Sequence, residues 1–353
     1  MRKVFLTGGT GFIGQPLSKA LLDRGWQVTA LVRQTSSPAA QVVYQLGAAL
    51  APGDVTDRES MRSAMAGADI VIHNAGFYEF GLAARGRQKA QKINVDGTDN
   101  VLSLALELGI PRTVYVSTTW AYGESGPELR DETFVRNTGY RSFYEQSKSE
   151  AHELALSYQQ RGLPLVIASP NGVAGPNDHG IWGYFIRLYV NNWMPPLTWS
   201  PDTLHSTVAV QDVAEGIALV AEKGRLGESY LLCGEPRTLR EHLAIWNEKP
   251  GGSKQRIWLP TGLAAFSFWP LEPLLRLIGL PAFLSRESAR VGGSNLNYSS
   301  AKARREFGWQ CRGSRSMWHE IIDAERALLA ERRGQGIVAR LRPLPAPATI
   351  PSP

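Results

Sequence analysis

A glycine-rich turn that directly follows the first apolar run constrains this chain more than any other feature of its sequence. Residues 4–6 lead into the stretch Thr7-Gly8-Gly9-Thr10-Gly11-Phe12-Ile13-Gly14. This order predicts a strand, a tight turn and a helix. Gly8 permits the turn, Gly11 allows backbone N–H groups to approach a pyrophosphate, and Gly14 allows the helix to pack close to the strand. The positive end of the helix dipole would then face the phosphates.

The residues around the turn favour dinucleotide binding over an ordinary glycine turn. An amphipathic stretch follows, Gly25 ends it, and a second apolar run covers Val28 to Val32. Further strands are predicted at 48–52, 69–72, 113–117, 163–169 and 229–232, and helices at 57–66, 87–108 and from about 144 to 160. This alternation predicts an α/β fold with a doubly wound parallel sheet of the Rossmann type, whose strand carboxyl ends form the ligand crevice.

The regular alternation stops after about residue 171, which predicts a second lobe. We expect a dinucleotide-binding domain over residues 1–171, with a return segment at about 206–233. A smaller, mostly helical and discontinuous substrate lobe is predicted over 172–205 and 234–335. Residues 336–353 form a proline-rich tail that we expect to be mobile.

Composition excludes several other classes of protein. The 353 residues carry a formal net charge of +6 without any nucleic-acid-binding motif, which favours an anionic small molecule over nucleic acid as the partner. Cys233 and Cys311 are the only cysteines, so a disulfide framework is excluded and a cytoplasmic location is predicted. No export signal is expected, and four prolines interrupt the apolar stretch 257–284, so no membrane span is predicted.

Three side chains carry the predicted chemistry. Thr118 follows a strand, and Tyr144 and Lys148 are four residues apart, which places them on one face of a helix. With the glycine turn, these residues resemble the extended short-chain dehydrogenase/reductase family, part of the NAD-dependent epimerase/dehydratase superfamily. The motifs that carry the resemblance are residues 7–14, 73–76, 94–98, 116–118, 144–148 and 169–172. The resemblance implies a Rossmann domain, a nicotinamide cofactor and a tyrosine-based proton relay.

The same resemblance implies a role for each of these residues. Tyr144 would be the proton donor, and the Lys148 ammonium would lower the pKa of the phenol from about 10 and bind the nicotinamide ribose. Thr118 would donate to the substrate oxygen and orient it. Asn94 matches the family's helix asparagine, and its role in this chain is either catalytic or purely structural.

The end of the second predicted strand favours NADP(H) as the cofactor. NAD enzymes normally place a carboxylate there, whereas this chain has Arg33, whose guanidinium can bind the additional phosphate. Asp54 either meets the adenine edge or forms a turn and cap. The predicted cofactor-binding residues are Gly8, Thr10, Gly11, Phe12, Ile13, Gly14, Arg33, Asp54, Val55, Asn74, Ala75, Gly76, Lys148, Pro170, Asn171 and Val173. His73 is interpreted as a packed histidine, because no second histidine lies at a metal-binding spacing.

The residues after Thr118 bear on the substrate. The family's sugar-nucleotide dehydratases carry an Asp-Glu pair there, whereas this chain has Thr119 and Trp120. Its late segments resemble the branch of dihydroflavonol reductases and hydroxysteroid dehydrogenases, which implies an apolar or aromatic small-molecule carbonyl substrate. The predicted substrate contacts are Phe77, Tyr78, Thr118, Trp120 and Tyr144. Three alternatives remain: aromatic side chains that only pack the small lobe, an NDP-sugar epimerase, and a non-enzymatic dinucleotide sensor.

A homodimer is also predicted. The apolar stripe Val101, Leu104, Ala105 and Leu108 lies on the long predicted helix. In this family that helix commonly pairs with its copy in a second subunit. The alternative is that the stripe faces its own sheet.

Overall fold

The computed structural model of the chain describes residues 1–249, 252, 257–277, 285–331, 334 and 336–344. Strands and helices alternate in its first half. Their order is β1 (Lys3–Thr7), α1 (Gly14–Leu22), β2 (Gln27–Val32), α2 (Pro38–Gln45), β3 (Ala49–Pro52), α3 (Arg58–Met65), β4 (Ile70–His73), α4 (Ala84–Gln91), a π-helical segment (Lys92–Asp96), α5 (Gly97–Glu107), β5 (Thr113–Val116), a 3₁₀ turn (Thr119–Ala121), α6 (Phe143–Gln160) and β6 (Leu165–Pro170).

The second half is richer in helices, and its strands are short. Their order is β7 (Val173–Ala174), α7 (Ile181–Val190), β8 (Leu197–Trp199), β9 (Leu204–His205), β10 (Val208–Ala209), α8 (Val210–Lys223), β11 (Ser229–Leu232), β12 (Arg237–Thr238), α9 (Leu239–Trp246), β13 (Ile257–Leu259), α10 (Thr261–Leu277), α11 (Arg286–Gly292), α12 (Ala301–Phe307), α13 (Ser314–Glu331) and α14 (Ile337–Leu341). None of the described helices is long and apolar enough to cross a membrane.

Seven of these strands form one parallel sheet in the order β3-β2-β1-β4-β5-β6-β11. Both faces are covered, because two separate apolar clusters, one containing Leu6 and Ile72 and the other Phe5 and Val71, flank the same strands. Alternate residues of a strand point to opposite faces, so β1 and β4 supply both clusters. The predicted doubly wound parallel sheet is confirmed, and β11 from the later part of the chain completes its edge.

The glycine turn is fixed by close backbone contacts. Gly8 has a φ of 71°, and a Cβ atom on it would lie 2.7 Å from the backbone nitrogen of Ala75. A Cβ atom on Gly14 would lie 1.9 Å from the carbonyl oxygen of Gly8. Gly14 is therefore required because the first turn of α1 lies against the glycine turn itself, which is a tighter constraint than packing against the strand.

Helix α2 was not among the predicted elements, although its start carries two ordinary signals. The Ser37 hydroxyl accepts from the backbone N–H of Ala40, and Pro38 occupies the first helical position. Both residue types are favoured at those places. The Ser-Pro pair at 37–38 was thus a usable start signal.

The long predicted helix at 87–108 is interrupted. It begins at Ala84, passes through the π-helical segment Lys92–Asp96 and ends at Glu107. A π turn accommodates one more residue than an α turn, and such segments are frequent at functional sites. Asn94, the family-like asparagine, is buried inside it.

The apolar stripe on α5 faces its own sheet. Val101, Leu104 and Ala105 are fully buried in the cluster around Phe5 and Tyr115, and Leu108 packs against that cluster. The alternative interpretation of this stripe therefore holds, and the stripe gives no support to a dimer. The homodimer stays a prediction.

The structure describes residues 336–344 of the predicted mobile tail in contact with the rest of the chain, and the mobility of the tail stays a prediction. Helix α14 packs near α7, and the Arg187 Nε donates to the Leu341 carbonyl oxygen at 2.8 Å. The Asn177 side chain donates to the Leu344 carbonyl and accepts from its N–H. Residues 345–353 lie outside the described part of the chain, and the predicted domain boundaries stay predictions.

We expect Gly14→Ala to destabilise the protein by about 1–3 kcal/mol, because its methyl group overlaps the Gly8 carbonyl and forces a backbone shift. Gly139→Ala is the matched control, because a Cβ atom there meets no heavy atom within 4 Å. Its free energy of unfolding in urea should stay within about 0.5 kcal/mol of the parent. Equal stability of the two variants would contradict the contact described.

Candidate active site

A cavity of about 610 Å³ opens at the carboxyl ends of the central strands. The glycine turn, Arg33 and Asp54 line its first part, where β1, β2 and β3 end. Thr118 and Tyr144 line its middle, and side chains of the helical lobe line the remainder. The crevice predicted from the strand order is therefore a real cavity, and it continues into the second lobe.

Most of the predicted site residues line this cavity. They are Gly8, Thr10, Gly11, Phe12, Ile13, Arg33, Asp54, Val55, Asn74, Ala75, Gly76, Phe77, Tyr78, Thr118, Trp120, Tyr144, Pro170, Asn171 and Val173. Gly14, Asn94 and Lys148 are not among its lining residues. All three are buried, and the roles predicted for them stay predictions.

Tyr144 lies in the first turn of α6, which begins where the Ser142 hydroxyl caps the backbone N–H of Glu145. Two aromatic rings hold the phenol edge to face: Tyr78 at a centroid distance of 4.8 Å and Phe80 at 5.7 Å. Burial raises the pKa of Tyr144 well above its ordinary value, and the Thr118 hydroxyl acts in the opposite direction. At neutral pH the phenol is therefore protonated.

Lys148 lies one helical turn below Tyr144 and is 5% exposed. Its ammonium donates to the Tyr115 hydroxyl at 3.0 Å and to the Val116 carbonyl oxygen at 3.1 Å. Burial lowers the pKa of Lys148 to about 7, because the charged form loses its hydration. Its direct protein partners are thus on strand β5.

Asn94 bridges two parts of the site. Its Oδ1 accepts from the backbone N–H of Phe77 at 2.7 Å, and its Nδ2 donates to the Phe77 carbonyl and to the Ser147 hydroxyl, both at 3.0 Å. The Ser147 hydroxyl in turn donates to the Tyr144 carbonyl. These bonds fix the loop after β4 against the helix that carries Tyr144, and a catalytic role of Asn94 stays a prediction.

His73 links the glycine turn to this bridge. Its Nδ1 lies 2.8 Å from the Thr7 hydroxyl and its Nε2 3.0 Å from the Thr98 hydroxyl. Thr98 donates to the Asn94 carbonyl at 2.6 Å, so its oxygen is left to accept from a protonated Nε2. Burial, followed by the charge of Lys148, lowers the pKa of His73 to about 3, so the ring is neutral. His73 is a packed histidine, as its sequence context indicated.

The start of α1 fits an anionic group. The helix has neither a side-chain cap nor an acidic residue in its first turn. Within the described chain, the backbone N–H groups of Phe12 and Ile13 donate to no residue. At Gly8 and Gly14 a side chain would clash with neighbouring backbone, so both glycines are needed for the turn to adopt this shape. A turn of this shape with unpaired N–H donors beside it suits the pyrophosphate of a dinucleotide.

Arg33 and Asp54 line the same part of the cavity. Arg33 is exposed directly after β2 and forms no ion pair with any residue that the structure describes. Asp54 uses Oδ1 to accept from the backbone N–H and the hydroxyl of Thr56, both at 2.9 Å. Asp54 therefore forms a turn and also lines the cavity, so both interpretations of this residue find a place in the structure.

An aromatic chamber forms the far part of the cavity. We use this name for the side chains of Trp182, Phe185, Met194, Trp199, Leu243 and Trp246, which line it from α7, β8, the segment between them and α9. Trp182 contacts Trp246 and Trp318 at centroid distances of 6.3 and 5.3 Å. The chamber was missed in the sequence as a site, although the aromatic stretch 182–199 signalled it.

Asp178 is a second site residue that the sequence did not indicate. Its carboxylate accepts from the backbone N–H groups of Gly180, at 2.6 Å, and Gly183, at 2.9 Å. It thereby caps the first turn of α7 and lines the cavity. Burial raises the pKa of Asp178 to about 6. No sequence pattern around it identifies this contact in advance.

Comparisons with known proteins agree with this geometry. The profile described as the NAD dependent epimerase/dehydratase family matches residues 4–233. The 4-hydroxy-2-methyl-3-oxo-4-farnesyl-3,4-dihydroquinoline-1-oxide ketoreductase of Stigmatella aurantiaca is 32% identical over 317 residues, which are 87% of this chain and 91% of that protein. The crystal structure of gox2253 is 29% identical, with a TM-score of 0.78 over 93% of this chain and 99% of that one.

A more distant structure shares the fold. The dTDP-glucose 4,6-dehydratase DesIV from Streptomyces venezuelae, solved with NAD and TYD bound, has a TM-score of 0.72 at 23% identity. The alignment covers 93% of this chain and 98% of that one. A nicotinamide dinucleotide as the cofactor class is supported by the family.

The neutral state of His73 has a consequence for acid stability. Its pKa is about 3 in the folded protein and about 6.5 when unfolded, so its contribution is complete above pH 6.5 and is lost as the pH falls towards 3. We expect His73→Gln to be less stable than the parent at pH 7.5. The difference between the free energies of unfolding of the parent and of the variant should be about 2 kcal/mol smaller at pH 4.5, as measured by urea unfolding.

Thr98→Val is the control for this prediction, because it breaks the same hydrogen-bond chain without removing a titratable group. The difference between the free energy of unfolding of this variant and that of the parent should be nearly independent of pH. If the stability difference between His73→Gln and the parent were the same at pH 7.5 and 4.5, folding would not lower the pKa of this histidine.

Proposed function

The chain belongs to the NAD dependent epimerase/dehydratase family, and we propose that it is an oxidoreductase that transfers a hydride between NADP(H) and a ketone, aldehyde or secondary alcohol. The body of the substrate would be apolar or aromatic. One observation carries the proposal: the cavity that contains the glycine turn and Tyr144 continues into the aromatic chamber. A reduced nicotinamide held on the glycine turn would supply the hydride.

The chain's own groups would handle the developing charge on the substrate oxygen. Thr118 would donate a hydrogen bond to that oxygen and orient it, and the Tyr144 hydroxyl would give it a proton. Since burial keeps the phenol protonated, Tyr144 is in the state that a proton donor for carbonyl reduction requires. The charged form of Lys148 would stabilise the tyrosinate that remains. With a pKa of about 7, Lys148 reaches that form near neutral pH.

The charge of the cavity supports an apolar substrate over a sugar nucleotide. Among the lining residues that the structure describes, the only lysine and arginine are Lys89 and Arg33. Lys89 lies over the Phe77 ring, with its ammonium 4.9 Å from the ring centroid, and Arg33 follows β2. The aromatic chamber therefore offers no cation to a second pyrophosphate.

Arg187, the cation that an NDP-sugar epimerase would need in the small lobe, is committed elsewhere. It is 1% exposed, and it donates to the Leu341 and Asp178 carbonyl oxygens, both at 2.8 Å. This burial argues against the epimerase alternative. The non-enzymatic sensor is disfavoured because Tyr144 and Lys148 are both present. The relative from Stigmatella aurantiaca, whose name specifies a ketone and a farnesyl group, supports the reductase proposal. A cytoplasmic location remains part of the proposal.

A series of methyl ketones of increasing chain length, from four to ten carbons, tests the substrate class. We expect kcat/KM with NADPH to rise about fourfold for each CH₂ that enters the chamber, since burial of one CH₂ contributes about 0.8 kcal/mol. The rate is followed by the loss of NADPH absorbance. The Tyr144→Phe substitution should abolish ketone reduction while leaving NADPH binding nearly unchanged. Tyr122 is a buried tyrosine that does not line the cavity. The Tyr122→Phe variant should therefore still reduce the ketones.

Two outcomes would contradict the proposal. One is a kcat/KM that does not depend on chain length, together with turnover of UDP-glucose to its 4-epimer. The other is a Tyr144→Phe variant that keeps most of its activity, which would remove Tyr144 from the mechanism.

The choice of NADPH over NADH is proposed to depend on Arg33. A hydrogen bond to a charged group contributes about 1.5–3 kcal/mol, which corresponds to roughly 10- to 150-fold in affinity. Arg33→Ala should weaken NADPH by about that factor and leave NADH nearly unchanged, as measured by fluorescence titration. Arg33→Lys keeps the charge without the planar fork, so it should retain part of the preference. Equal binding of NADH and NADPH by the parent protein would remove this role from Arg33.

A further inference from the structure

We propose that Tyr115 is a positioning residue for Lys148: its hydroxyl oxygen accepts one ammonium N–H and thereby fixes the lysine against β5, the strand that leads to Thr118. The catalytic consequence rests on the proposed function, because Lys148 serves a proton relay only if Tyr144 does. The bond itself is a property of the folded chain and can be tested without turnover.

The geometry around the ammonium carries the inference. Lys148 donates to the Tyr115 hydroxyl at 3.0 Å and to the Val116 carbonyl at 3.1 Å, and its nitrogen lies 4.8 Å from the centroid of the Tyr115 ring. An ammonium has three N–H donors. Two of them are thus used by β5.

Tyr115 is itself held firmly. It is fully buried, and its ring stacks on the ring of His73 at a centroid distance of 5.8 Å and an angle of 26°. His73 is in turn fixed by the hydroxyls of Thr7 and Thr98. The hydroxyl that meets Lys148 therefore belongs to a side chain that has little freedom to move away.

The groups that face Lys148 explain why a neutral acceptor matters. Besides Tyr115 from β5, they are His73 from β4 and His152 from α6. The charge of Lys148, after burial, lowers the pKa of both histidines, so neither adds a positive charge. Within the described part of the chain, no carboxylate forms an ion pair with Lys148. The buried ammonium thus depends on the hydroxyl and the carbonyl for stabilisation.

This arrangement also fixes the relative position of the reacting groups. Tyr115 and Val116 belong to β5, which leads directly to Thr118, and Lys148 belongs to the helix that carries Tyr144. The two bonds from Lys148 therefore tie α6 to β5 at the level of the site. The Val116 carbonyl is backbone, so Tyr115 is the partner that a substitution can remove.

Tyr115→Phe tests the inference, because it removes the hydroxyl and keeps the ring. Loss of an acceptor disfavours the charged ammonium, so the pKa of Lys148 should fall by about one unit or more. The probe is the NMR titration of ¹³Cε-labelled lysine, in which the Lys148 signal is assigned from its absence in Lys148→Arg. At pH 7.5 we also expect kcat for ketone reduction to fall about tenfold, and to recover partly at lower pH.

Tyr158→Phe is the matched control. Tyr158 is a buried tyrosine of the same apolar cluster, and its hydroxyl donates to Asp99 at 2.6 Å. This variant should leave the Lys148 titration and the pH profile of kcat unchanged. Melting temperatures of both variants, recorded by circular dichroism, check that each is folded.

A Lys148 titration that is the same in Tyr115→Phe as in the parent and in Tyr158→Phe would overturn the inference. If no ketone is reduced by the parent protein, the proposed function fails. The titration still decides whether Tyr115 holds Lys148.

Discussion

A buried chain of hydrogen bonds joins the glycine turn to the helix that carries Tyr144. It runs from the Thr7 hydroxyl through His73 and Thr98 to Asn94, and from Asn94 through Ser147 to the Tyr144 carbonyl. The hydrogen bonds that these side chains form with backbone groups determine which of their atoms donate and which accept. Because an unpaired buried polar group costs about 1–3 kcal/mol, the chain is stable only when all members are present. The position of the phenol relative to the glycine turn depends on this series of hydrogen bonds.

The second lobe contacts this frame through Glu287, a carboxylate on α11. Glu287 accepts from the backbone N–H of Phe143 at 2.6 Å, next to Tyr144, and from the backbone N–H of Gly81 in the loop after β4. That loop also supplies Tyr78 and Phe80, whose rings contact the phenol edge to face. One residue of the small lobe thus bridges the two segments that shape the centre of the site. These contacts hold the lobe that forms the aromatic chamber close to Tyr144.

The sequence allowed the sheet and the principal site residues to be predicted, because these follow from local patterns. Strand and helix periods are visible in any short window, and the spacing of Tyr144 and Lys148 fixes a common helix face. The partner of Lys148 was not predictable, since Tyr115 is 33 residues away and reads as an ordinary strand residue. The hydrogen bond from Arg187 to the Leu341 carbonyl was not predictable for a related reason: the proline-rich composition of the tail indicates no partner elsewhere in the chain. Local sequence patterns do not predict contacts between residues that are far apart in the sequence.

The π-helical segment Lys92–Asp96 makes the site sensitive to the length of its chain as well as to its composition. One residue fewer there would restore a regular α-helix and would turn α4 by about 100° relative to α5, since an α-helix has about 3.6 residues per turn. Asn94 would then point away from the Phe77 backbone and from Ser147, although every contacting side chain would still be present. The number of residues in this helical segment therefore determines the orientation of Asn94. Homologous chains can vary the surface residues of this segment freely, but they can change its length only if the loop after β4 is rebuilt at the same time.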